Sequence, residues 1–115
     1  MNTETLNALK QLSEAKRMIL DKLAETILPD EKRILGDVLI NLQEDENILI
    51  NFTLQDMVDK INATNEALQN LIHQMDNASQ NISGLNNAIK KISGVLSTLT
   101  EITTKALSAG LLSGL

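Results

Sequence analysis

The chain has 115 residues and a formal net charge of −5, with one Phe, one His and no Tyr, Trp or Cys. This length allows a single domain. The missing aromatics remove base-stacking platforms and the acidic balance disfavours phosphate backbones, so no nucleic-acid partner is expected.

Without Cys there are neither disulfides nor thiolate metal sites. The core has to be built from Leu, Ile, Val, Met and Ala, which suits helices packed on helices. The first predicted helix runs to residue 28. Leu9, Leu12, Ala15, Ile19, Leu23 and Ile27 recur at spacings of three and four, and Leu6, Met18 and Leu20 widen the stripe. Pro29 ends this helix, because it lacks an amide donor and disfavours helical geometry at Leu28. Pro is well placed at the first position of a new helix, and Asp30 and Glu31 then meet the positive end of its dipole. The second predicted helix spans 29–47, with Ile34, Leu35, Val38, Leu39 and Leu42 on its apolar face. Ile48 to Phe52 reads as an apolar connector or as the continued end of that helix.

The third helix has the clearest start signal. Thr53 is positioned to cap it, Asp56 follows three residues on, and Phe52 and Met57 occupy the two positions of a hydrophobic staple. From there a heptad pattern runs over 53–107. One set of positions holds Leu54, Ile61, Leu68, Met75, Ile82, Ile89 and Leu96. The set three residues later holds Met57, Thr64, Leu71, Ala78, Leu85, Ile92 and Leu99. Thr64 is the one polar member. Unbroken, such a helix would be about 80 Å long. Gly84 and Gly94 and the Asn- and Ser-rich stretch from Asn77 to Asn87 weaken continuity, so a hinge near Ser83-Gly84 is the alternative. The expected fold is therefore all-α: a helical hairpin or three-helix bundle with a long coiled-coil-like C-terminal helix.

The positions flanking the seam, among them Asn65, Ser79, Asn81, Ser93, Val95, Thr100, Ile102 and Leu107, are almost uncharged. A zipper would carry Glu and Lys there. So wide a stripe wants two or more helical neighbours, and two short helices cannot cover 80 Å. The far end, about 89–115, is then expected to be exposed, and an exposed aliphatic patch marks an interface. The predicted interface residues are Ile82, Leu85, Ile89, Ile92, Val95, Leu96, Leu99, Ile102 and Leu107. The expected function is a non-enzymatic interaction or assembly protein that self-associates or docks on a helical partner. One alternative is a peripheral membrane-active or pore-forming protein, with a membrane surface bound through an amphipathic segment from Leu96 to Leu115. Against it, Ser and Thr stand where lipid-binding helices carry Lys and Arg, and Gly110 and Gly114 favour helix termination. The other alternative is a small acidic regulator or inhibitor. Residues 1–76 carry 14 of the 15 acidic side chains, while 77–115 carry Glu101 with Lys90, Lys91 and Lys105.

Chemistry-bearing residues are few. His73 stands alone and falls opposite the seam, so a solvated position is expected. Glu44, Asp45 and Glu46, near Asp56 and Asp59, lack the spacing and Gly of a calcium loop. Asn51, Asn62, Asn77 and Asn81 begin Asn-x-Ser/Thr triplets of the kind an Asn-rich chain accumulates by chance. No catalytic, cofactor or metal residues are predicted, and no enzyme is expected. With neither a basic leader followed by an apolar run nor a membrane span, the expected location is cytoplasmic, or exported without a cleavable signal.

Overall fold

A computed structural model describes residues 3–78, 82 and 84–110. Four helices of 23 residues each succeed one another: α1 (Thr3–Glu25), α2 (Pro29–Asn51), α3 (Leu54–Asp76) and α4 (Asn86–Ser108). No strand occurs among the described residues. At 1.5 Å per residue each helix is about 35 Å long, so the four match in length. Their short connections force successive helices to run antiparallel. α1 packs on α2, α2 on α3, α3 on α4, and α4 closes the ring against α1.

The all-α expectation holds in this coarse form. Among the described residues the bundle has four helices of this length, and the heptad stretch supplies two of them, not one rod of about 80 Å. The break falls between Asp76 and Asn86, where Gly84 and Leu85 form a turn. Ser83 lies outside the described residues. Packing explains the break. Ile61, Leu68 and Met75 on α3, Ile82 in the connection, and Ile89 and Leu96 on α4 are all at most 1% exposed. A straight rod would have left the last of these in water. Folding back sets one half of the seam against the other, at about 25 cal/mol for each Å² removed from water. The Asp76 carboxylate closes the turn: it accepts a hydrogen bond from Asn86 and faces Lys90 Nζ at 3.6 Å.

The other boundaries follow local rules. Thr26 Oγ1 donates to the Lys22 carbonyl at 2.7 Å as α1 ends, and Leu28 is extended ahead of Pro29. α2 runs on through Ile48 and Leu49, which are buried, so the connector is the helix's last turn. Thr53 caps α3, its hydroxyl accepting from Asp56 N–H at 3.3 Å. Phe52 is 39% exposed and its ring carries Lys60 Nζ at 4.5 Å from the centroid; the staple partner Met57 is buried. Gly110 takes φ 76° just past the end of α4, a backbone conformation that favours Gly. Its companion Gly114, and Leu111 in the amphipathic segment, lie outside the described residues.

On α1 the expected stripe is buried through its middle, with Leu9 and Leu23 half-buried against the core, but the residues expected to widen it are not. Thr5, Ala8, Leu12, Ala15 and Ile19 point inward, while Leu6, Met18 and Leu20 are exposed and Ile27 lies beyond the helix at 83% exposure.

Candidate functional site

Three of the four seams are filled with Leu, Ile, Val and Met. The fourth, between α1 and α4, is the loosest. The cause lies in α1, whose inward face includes the small side chains of Thr5, Ala8 and Ala15. A groove of about 400 Å³ opens there, lined by Glu4 and Asn7 from α1 and by Lys91, Gly94, Val95, Thr98, Leu99 and Ile102 from α4. It continues as a hollow of about 120 Å³ between Gln11, Glu14, Ala15 and Met18 on α1 and Ala88, Lys91 and Ile92 on α4. Gly94 leaves the floor open, since a Cβ there would meet nothing within 4 Å. Ile102 and Met18 are 44% and 42% exposed. Neither Glu4, Glu14 nor Lys91 has an ion-pair partner among the described residues.

The predicted interface residues divide across this geometry. Val95, Leu99 and Ile102 come together on the groove, and Ile92 lines its continuation. Ile82, Ile89, Ile92, Leu96 and Leu99 are at most 3% exposed, while Leu85, Val95 and Leu107 are half-buried. Most of the seam therefore faces the bundle's own core. The uncovered stretch expected from Ile89 onward required a straight rod, and in the bundle α4 lies against α3 and α1. The α1 side of the groove, with Glu14 and Met18, is the part that reading the heptads alone misses. A run of small residues on an otherwise aliphatic face was the signal for it.

A second feature is a polar layer at mid-height. The Asn65 side chain donates to the Ser93 carbonyl at 3.2 Å and to Ser97 Oγ at 2.9 Å, and accepts from Ser93 Oγ at 2.8 Å. The Asn41 amide donates to the Thr64 carbonyl at 3.1 Å. Asp45 is wholly buried, with Thr64 Oγ1 at 2.5 Å from its Oδ1. Burial pushes the Asp45 carboxyl up from 3.8 to about 7, with the Thr64 hydrogen bond opposing the rise and Glu44 and Glu46 adding to it. The geometry fits a neutral carboxyl. Thr64 Oγ1 also lies 3.0 Å from the Ile61 carbonyl, so with an ionised Asp45 its one proton would be divided between two acceptors. A protonated Asp45 can donate to Thr64, which then donates to Ile61. Asn41 Oδ1 and Asp45 Oδ2, one helical turn apart, are buried acceptors without a donor among the described residues. Thr64, the polar intruder in the seam, was the sequence signal of this layer.

Elsewhere the surface is plain. A hollow of about 300 Å³ between α2 and α3 is bordered by Glu44, Phe52, Lys60 and Thr64. His73 is exposed near the end of α3, and Glu44 is exposed as well. Among the described residues no cluster of His, Asp or Glu is placed to hold a metal ion, and no helix is long and apolar enough to cross a membrane. Asn81, in the last of the four Asn-x-Ser/Thr triplets, and Ser79 lie outside the described residues. No family model, no curated protein and no solved structure matches the chain.

Proposed function

We propose that the protein is a non-enzymatic helical interaction protein whose docking surface is the α1/α4 face. One observation carries this reading. The groove between Glu4 and Met18 on α1 and Ala88 and Ile102 on α4 is apolar along its floor and bordered by charges that have no ion-pair partner among the described residues. It runs about 21 Å along the helices, or four turns, which is the footprint of a packed helix. Apolar anchors in a recess with polar groups at the rim are the usual anatomy of an interface. Asp45, a buried carboxyl, lies in the core and lines none of the groove, so it lends no support to a catalytic reading of that groove. The membrane-active reading has less support, because the aliphatic face of α4 that would enter lipid is packed against α3 and α1.

The test is a photo-crosslinking amino acid placed at Ile102, on the groove, and in a second variant at Ile40, which is 62% exposed on α2. In cells expressing the chain, the Ile102 variant is expected to form a discrete protein adduct and the Ile40 variant none. No adduct from Ile102, or equal labelling from both positions, overturns the proposal.

A further inference from the structure

Glu14 and Lys91 on this face are a self-complementary pair, and from them we infer that the partner is a second copy of the chain, packed α1/α4 face to α1/α4 face about a two-fold axis parallel to the helices. The inference rests on the reading of that face as the docking surface. Glu14 on α1 and Lys91 on α4 border the same hollow from opposite sides of the seam, and neither has an ion-pair partner within its own chain among the described residues. A two-fold axis along the helices keeps every residue at its height and sets α1 of one copy opposite α4 of the other. Glu14 of each copy then faces Lys91 of its partner, twice over, as an isologous interface requires. Met18 lies beside the pairs and Val95 and Ile102 extend the contact along the groove, where Gly94 leaves room for close approach.

The size of the face agrees. It is about 35 Å long and 17 to 21 Å wide, roughly 600 to 700 Å² per copy, against about 800 Å² per partner in a standard specific interface.

Charge reversal tests the geometry, because a two-fold interface makes an unusual demand. Glu14→Lys alone sets Lys against Lys at both pairs, and Lys91→Glu alone sets Glu against Glu. Mixing the two variants restores opposite charges at both pairs of a heterodimer. By sedimentation equilibrium, the full chain is expected to dimerise. Each single variant should dimerise at least tenfold more weakly, and the equimolar mixture should recover the unsubstituted affinity. Circular dichroism of both variants checks that these exposed substitutions leave the helices intact, and Glu14→Gln and Lys91→Gln should weaken dimers in the same direction by less. A full chain that stays monomeric into the millimolar range overturns the inference. So does a dimer that the reversals leave unchanged, or a mixture that does not recover. The failures separate: an Ile102 adduct to a different protein, with the purified chain monomeric, keeps the docking face and rejects the self-partner, whereas no adduct at all rejects both.

Discussion

Replacing Asp45 by Asn converts an ionisable core residue into a neutral one of the same shape. Asp45 is wholly buried, and burial raises its carboxyl from 3.8 to about 7. The sign follows from which state holds the proton. Between about pH 4 and 7 the folded chain keeps Asp45 protonated, whereas the unfolded chain has released that proton. Unfolding therefore releases a proton, and stability falls as pH rises through this window. Above about pH 7 the native carboxylate is ionised in the core and the loss is complete. Three pH units at 1.36 kcal/mol each make this about 4 kcal/mol, an order of magnitude to set beside a whole-domain stability of roughly 5 to 15 kcal/mol. Asp45→Asn lacks the titration. The variant should match the parent to within about 1 kcal/mol at pH 4 and exceed it by several kcal/mol at pH 8. Its amide can donate where the acid O–H would, toward Thr64 or the unpaired Asn41 Oδ1. The assay is urea unfolding at a series of pH values, followed by helical circular dichroism because the chain has no Trp or Tyr. Taking the difference between parent and variant cancels the titration of the other carboxylates. A difference that is flat from pH 4 to 8, or a variant less stable than the parent at pH 8, would refute the argument.

Two further expectations follow from the packing. Gly36 lies within α2, and a Cβ there would meet nothing within 4 Å; Gly36→Ala should stabilise the bundle by about 1 kcal/mol through helix propensity alone, and a loss in urea titrations would show that space to be needed. Asn65→Ala removes three hydrogen bonds and leaves the buried Ser93 hydroxyl without its partner, so about 2 to 3 kcal/mol should be lost; a double-mutant cycle with Ser93→Ala should show at least about 0.5 kcal/mol of coupling, and additive effects would contradict the network.

Much of the local architecture was legible in the residues. Pro29 starts α2, Thr53 caps α3 through Asp56, and the first heptad set from Ile61 to Leu96 lies in the core. These features depend on a few neighbouring residues and on periodicity, which a chain carries in one dimension. The wide, uncharged stripe was also rightly read as wanting more than one neighbour. What it could not say is where the neighbours come from. A heptad seam looks the same whether it runs straight along a partner or doubles back on itself, because a hairpin between Asp76 and Asn86 keeps both halves in phase. Only the balance of burial over the whole chain chooses, and it favours the fold that covers Ile89, Ile92 and Leu96 with the chain's own helices.

Composition determined that the core would be aliphatic, and the three-and-four spacing of its apolar residues that the chain would be helical. Tertiary structure alone decided that the α1/α4 seam stays open, that Glu14 and Lys91 border one hollow on it, and that Asp45 is sealed against Thr64. Each of these joins residues at least 19 positions apart, and their proximity is set by helix packing across the bundle, which no local pattern encodes.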